Sequence, residues 1–114
     1  TDSQKNIVQT ISPQKISENI INNDYANLVK EGMRAVVTRG TAQSLQQVSE
    51  EVAGKTGTAQ FGNEGKTHAW FVGYAPYKDP EIVVVVLVQG GGEGSSAAVP
   101  VARDIFNWYF TNRK

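Results

Sequence analysis

From residue 25 to residue 38 apolar side chains recur at Tyr25, Leu28, Val29, Met33, Val36 and Val37, in steps of three and four that gather them on one side of a helix. Asn22, Asn23 and Asp24 stand just ahead as cap candidates and Gly40 just behind, so the pattern predicts a helix over 25–38. A second stripe, Ala102, Ile105, Phe106, Tyr109 and Phe110, with Arg103, Asp104 and Asn107 outward, predicts a closing helix over 96–112. Pro100 suits its first turn, and Ser95 and Ser96 are candidate caps. Between the helices the period changes to two. Three strands are expected, Val52–Phe61, Ala69–Ala75 and Glu81–Gln89, joined by GNEGKTH and PYKDP. Both connections carry turn chemistry at hairpin length, which makes an antiparallel meander over 52–89 the economical topology. Residues 1–24 are polar, with a short apolar alternation at Ile7, Val8 and Ile11 and then Ile16, Ile20 and Ile21. They read as a weak strand followed by a loop. A polar stretch from Thr41 to Glu51 leads from the first helix into the sheet. The fold class is therefore α/β: an α+β sandwich in which helices flank an antiparallel sheet.

The run IVVVVLV, residues 82–88, is apolar on both faces. Such a strand needs a layer above and a layer below. The closing helix supplies one, and the helix over 25–38 is the remaining candidate for the other. Leaving two or three valines wet would forgo about 1.5–3 kcal/mol each, and the chain is expected to be a piece of something larger.

Composition narrows the partners more than the chemistry. The chain has 114 residues, enough for one core. Lys plus Arg number 11 and Asp plus Glu number 11, a net charge of zero, so nothing favours nucleic acid or an anionic membrane surface. Without cysteine there is neither a disulfide nor a thiolate metal site. The longest apolar run is far too short to cross a bilayer and the N-terminus lacks the pattern of a signal peptide; a membrane anchor is expected to lie outside this chain.

The stretch VAGKTGTAQ, residues 52–60, places two glycines, a lysine and two threonines in a strand. Side chains alternate along a strand, so Thr56 and Thr58 point the same way with about 7 Å of rise between them. Two hydroxyls so placed can grip one carboxylate or amide. Gly54 and Gly57 remove bulk, which lets a ligand backbone lie against the strand and pair with it. Lys55 adds a positive charge for an anionic terminus, or to keep a neighbouring base in its required protonation state. The plainer alternative is an ordinary exposed edge strand.

AGKTGTAQ, followed by THAWFVGYAP and EIVVVVLVQ and preceded by EGMRAVVTRGTA at 31–42, resembles the C-terminal third of the transpeptidase domain of penicillin-binding proteins, whose third motif is K-T-G. The likeness runs from about residue 25 to 110 and is greatest to class B enzymes of the elongation type. It implies a peptidoglycan D,D-transpeptidase that works through a serine acyl-enzyme and is inhibited by β-lactams, without metal or organic cofactor. Lys55 would be the third-motif lysine, bonding the second-motif serine and attracting the substrate carboxylate. Thr56 and Thr58 would hold that carboxylate. The backbone N–H of Thr58 would be one of two oxyanion-hole donors, and Gly57 would admit the D-Ala-D-Ala end of a stem peptide or a β-lactam. The implied partners are that peptide, the remainder of the domain and the cell-wall synthesis machinery, on the extracytoplasmic face of a bacterial membrane.

The nucleophile is missing. Ser12-Pro13-Gln14-Lys15 and Ser17-Glu18-Asn19 imitate S-x-x-K and S-D-N, but the first has a proline beside the serine and no apolar stripe after it. Five residues cannot set the two motifs on opposite walls of a cleft, so both are read as chance matches to short patterns. QGGGEGSSA imitates a phosphate loop without the Walker lysine and is expected to be a flexible connection. His68, the single histidine, is expected to close a loop and orient Trp70. Two other functions remain open: a serine β-lactamase or β-lactam sensor with the same third motif, and a non-catalytic homologue that merely grips a C-terminus.

Overall fold

The computed structural model describes residues 12, 14, 16–18, 20–62 and 65–113. Helix α1 spans Asn23–Thr38, strands β1, β2 and β3 span Ala53–Phe61, Lys66–Ala75 and Ile82–Val88, and helix α2 spans Val99–Asn112. The expected strand around Ile7, Val8 and Ile11 lies outside the described residues, and Ile16, Ile20 and Ile21 are exposed in irregular chain.

Asn22 caps α1, its Oδ1 accepting from the Asp24 N–H at 2.7 Å, which satisfies one of the donors a helix start leaves over. Past the other end, Gly40 turns the chain so closely under Val36 that a Cβ would sit 2.8 Å from the Val36 Cα. The Ala42 N–H then donates to the Val36 carbonyl at 3.1 Å. The Gln46 amide reaches back to the carbonyls of Val37 and Thr38 at 3.1 and 3.4 Å, closing orphan acceptors of the last turn.

The polar stretch after Gly40 is not a plain lead-in. Gln43–Gln47 form a 3₁₀ turn, and Ala42, Leu45 and Val48 are buried in the core. Their spacing of three matches three residues per 3₁₀ turn, which stacks them on one side; the signal was present but at a period that suits neither helix nor strand.

The sheet has the order β1-β2-β3, all antiparallel. Alternation across the ladder puts Thr56, Phe71 and Val86 on one face and Lys55, Val72 and Val85 on the other. Phe71, Ala69, Val84 and Val86 of the first face meet Ala98, Val99, Ala102 and Phe106 in one core. A single π-helical turn, Gly94–Ala98, precedes α2, and Pro100 stands in the first turn of α2. Neither Ser95 nor Ser96 caps α2; their hydroxyls go to Glu93 instead.

The second face lacks the expected layer. Helix α1 packs against β1 and the 3₁₀ turn, and Val83, Val85 and Leu87 stay 67%, 61% and 50% exposed. The α1 stripe also departs from expectation: Val37 is buried at its end, whereas Tyr25, Leu28 and Val29 are exposed. The helix extends beyond the body that its last turns join, so periodicity found an apolar face without finding what covers it.

Tyr74, paired with Ala53 and Val83, has a buried hydroxyl with no hydrogen-bond partner among the described residues. Burial, and then the neighbouring Tyr77, push its pKa above the ordinary tyrosine value. The unfolded chain therefore ionises Tyr74 first, near pH 10, and the stability that the native proton confers is lost as pH rises from there through the folded value. Stability should fall more steeply above pH 10 in the wild type than in Tyr74→Phe, as read by urea denaturation; parallel pH profiles would contradict it.

Candidate functional site

Strand β1 enters the sheet under firm control. The Arg34 guanidinium donates through Nη1 to the Val52 carbonyl at 2.8 Å and through Nη2 to Glu51 Oε1 at 3.0 Å, fixing the chain just before β1 against α1. From there β1 runs along the edge of the sheet, paired only with β2 among the described residues. No further strand lies outside it among the described residues, and an edge of that kind permits an extended peptide to add as a further strand.

Along this edge Lys55 and Thr58 are exposed, while Thr56 and Gly57 are half-buried. Thr56 and Thr58 share the face of their cross-strand partners Phe71 and Ala69, and Lys55 and Gly57 the face of Val72 and Trp70. The Lys55 ammonium bends back to donate to the Thr56 carbonyl, which holds positive charge beside the backbone of Thr56. The Thr56 hydroxyl is 2.7 Å from the hydroxyl of Thr41, a residue from the turn after α1 that sequence reasoning passed over. Nothing in spacing pairs positions 15 apart across a turn; only the folded chain brings them together.

The two glycines of the strand have different reasons. A Cβ on Gly54 would meet the Phe71 ring at 2.4 and 2.7 Å and the Val72 carbonyl oxygen at 2.8 Å, and its cross-strand partner Gly73 faces the same ring at 2.6 Å. Gly54 is therefore a seat for Phe71 and not an opening for a ligand, which corrects the expectation from sequence. Aromatic cover of a glycine pair is a known way to make such a pair tolerable in a sheet. A Cβ on Gly57 would meet only the Trp70 side chain, at 3.2 Å for its Cβ. Steric demand within this chain is far weaker at Gly57 than at Gly54.

The glycine-rich segment after β3 is tied down, contrary to the flexible connection expected. Gly90 N–H donates to His68 Nδ1 at 3.2 Å, Gly92 N–H donates to the Thr67 carbonyl at 3.2 Å, and the Thr67 hydroxyl donates to the Gly92 carbonyl at 3.0 Å. His68 thus closes a loop, as its isolation in the sequence implied. Its ring partner, however, is Phe61, stacked at 3.9 Å and 4°, and not Trp70. Accepting at Nδ1 places the ring proton of neutral His68 on Nε2. Further on, Gly94 rests directly on the backbone of Trp70 and Gly57, where a Cβ would come within 2.4 and 2.7 Å of their carbonyl oxygens. The start of the closing helical layer is thereby in contact with the candidate strand.

Concavities described on the chain lie elsewhere, one among Arg34, Leu45, Gln46 and Glu51 and one at Ile21–Asp24. No group of three His, Cys, Asp or Glu suited to a metal ion occurs among the described residues. Ser12, Gln14, Ser17 and Glu18 of the two imitation motifs are exposed, and Pro13, Lys15 and Asn19 lie outside the described residues.

The sheet, antiparallel with helices against it, carries Lys-Thr-Gly-Thr on its edge strand, and K-T-G is one of the three motifs shared by penicillin-binding proteins and class A β-lactamases. The family model for the penicillin-binding protein transpeptidase domain matches residues 2–107, and the chain belongs to that family. It is 38% identical over 101 residues to the peptidoglycan D,D-transpeptidase MrdA of Haemophilus influenzae, an alignment covering 74% of this chain and 16% of that protein. The crystal structure of Pseudomonas aeruginosa PBP2 in complex with WCK 5153 superposes with a TM-score of 0.75 at 36% identity, covering 91% of this chain and 24% of that one. The complex between penicillin-binding protein PBP2 and MreC from Helicobacter pylori gives 0.68 at 28% identity, covering 80% and 18%. The chain thus spans about a sixth of the length of the curated relative it matches.

Proposed function

We propose that this chain is the C-terminal part of a single peptidoglycan D,D-transpeptidase domain and supplies the strand that receives the substrate carboxylate. The observation that carries the reading is the open edge of β1, on which Lys55, Thr56, Gly57 and Thr58 stand in sequence with nothing paired outside them among the described residues. A D-Ala-D-Ala terminus lying along that edge would set its carboxylate against Thr56 and Thr58, with the Lys55 charge close by. The scissile carbonyl would face the Thr58 N–H.

A serine supplied by the remainder of the domain attacks that carbonyl and gives its proton to the lysine of S-x-x-K. Negative charge gathers on the carbonyl oxygen, where a fixed N–H donor stabilises it more than it stabilised the neutral group. The terminal D-Ala leaves, and the amine of a neighbouring stem peptide resolves the acyl-enzyme. A β-lactam takes the same course but keeps its leaving group tethered. The relatives' names favour transpeptidase over β-lactamase.

The exposed face of Trp70, Val72, Val83, Val85 and Leu87 belongs, in this reading, under the remainder of the domain; a membrane anchor would be a separate segment, and the cell-wall machinery a further partner. The complex between penicillin-binding protein PBP2 and MreC from Helicobacter pylori supports such an assembly, and its setting on the extracytoplasmic side follows from the family resemblance alone. The elongation-type assignment rests on the same resemblance.

Labelled penicillin tests the proposal. The complete domain should form a stable covalent adduct, and the isolated chain should form none. Labelling of the isolated chain that disappears on Ser12→Ala would restore the imitation motif as the nucleophile. Rapid release of the adduct by the complete domain would favour the lactamase alternative, and absence of any adduct the non-catalytic one.

A further inference from the structure

The contact between Thr41 and Thr56 has a direction that chemistry decides. A hydroxyl carries one hydrogen and two lone pairs, so in a hydroxyl pair one member donates and the other accepts. At 2.7 Å the pair is at full hydrogen-bond length, and in the free chain either member can be the donor. A carboxylate only accepts. Once Thr56 gives its single hydrogen to a carboxylate, the hydrogen between the two threonines has to come from Thr41.

We infer that Thr41 is a positioning residue for the carboxylate site, donating to Thr56 Oγ1 so that the Thr56 hydroxyl is aimed at the ligand. The inference rests on the proposed role of Thr56. In the order Thr41 O–H to Thr56 O–H to carboxylate, each bond polarises the next. The rotor of Thr56 is also restricted before the ligand arrives, which lowers the ordering cost of binding.

The fold holds Thr41 where this requires. The close turn of Gly40 beneath Val36, the bond from Ala42 N–H to the Val36 carbonyl and the Gln46 amide over the end of α1 together fix the segment on both sides of Thr41. Arg34 fixes the entry to β1 from the same helix. The two hydroxyls are thus carried by α1 and β1 as one unit, which a chance contact between exposed threonines would not need.

The test uses the complete transpeptidase domain carrying this sequence and the second-order rate of acylation by a penicillin, as free acid and as methyl ester. Thr56→Val should slow the free acid and spare the ester; if it leaves both unchanged, the carboxylate reading itself fails. Given that result, Thr41→Val should slow acylation by the free acid about tenfold, as expected for weakening one hydrogen bond to a charged group. The ester should again be spared. Thr41→Ser keeps the hydroxyl and should stay near the wild-type rate. Thr41→Val added to Thr56→Val should cause no further loss, because the relay is already cut. A normal rate for Thr41→Val beside a slow Thr56→Val would overturn the inference. So would equal losses on acid and ester, which mean a structural role, or a further loss in the double variant, which means that Thr41 touches the ligand directly.

Discussion

Replacing Gly94 with alanine in the complete domain is expected to lower the unfolding free energy by about 3 kcal/mol, the upper end of what overpacking usually costs. The new methyl would lie 2.4 Å from the Trp70 carbonyl oxygen and 2.7 and 3.1 Å from the oxygen and nitrogen of Gly57. All three are backbone atoms, held by the pairing of Gly57 with Trp70, so no side chain can swing aside. The remaining response is for the helical layer to lift, which would loosen Ala98, Val99, Ala102 and Phe106, all fully buried. Gly32 is the control, because a Cβ there meets nothing within 4 Å and Gly32→Ala in mid-helix should stabilise by up to about 1 kcal/mol. Urea denaturation of the two variants should give midpoints displaced in opposite directions. A Gly94→Ala midpoint at or above wild type would show that the close approach is not as drawn.

Removal of the Lys55 charge should do the reverse, sparing the fold and disabling the site. Lys55 is exposed, and its ammonium is held by the carbonyl of its own neighbour Thr56, so Lys55→Met should change stability by no more than about 0.5 kcal/mol. In the complete domain it should slow penicillin acylation about 10²–10³-fold, the usual effect of removing a preorganised group that stabilises developing or substrate charge. Lys55→Arg should not restore the rate fully, since a planar fork differs from a compact ammonium in reach and donor geometry. Stopped-flow labelling with a fluorescent penicillin, with thermal unfolding alongside, separates the two effects. A Lys55→Met rate within threefold of wild type would remove the lysine from the site.

The two glycines of the candidate strand show how far residue type alone can be read. From the sequence, Gly54 and Gly57 look equivalent, both flanking Lys55-Thr56 and both poor strand formers. The ladder separates them. Gly54 faces Gly73 beneath the Phe71 ring, whereas Gly57 faces Trp70 with only a marginal contact. Which glycine serves the core depends on an aromatic residue 17 positions away, fixed by register and invisible to a local motif. His68 gives a milder case: its loop-closing part was expected from a lone histidine without metal-ligand companions, but its ring partner Phe61 was set by the hairpin.

The segment from Thr41 to Glu51 was the least legible. Its charged and amide side chains hide Ala42, Leu45 and Val48, whose spacing of three falls between the strand and α-helix periods. It nevertheless delivers Thr41 to Thr56 and Gln46 to the end of α1.

The sequence by itself determined the order and nature of the principal elements, since periods of 3.6 and 2 and the turn residues between them are local properties of the chain. It also determined the Lys55–Thr58 motif and the excess of apolar surface on β3. The tertiary structure decided which faces were buried. It covered Val84 and Val86 with α2 and its preceding turn, left Val83, Val85 and Leu87 exposed, and seated α1 against β1. It also decided that β1 is an edge strand among the described residues and that Thr41 reaches it. Those outcomes depend on contacts between residues far apart in the chain, and a periodic pattern states that a face is apolar without stating what will lie against it.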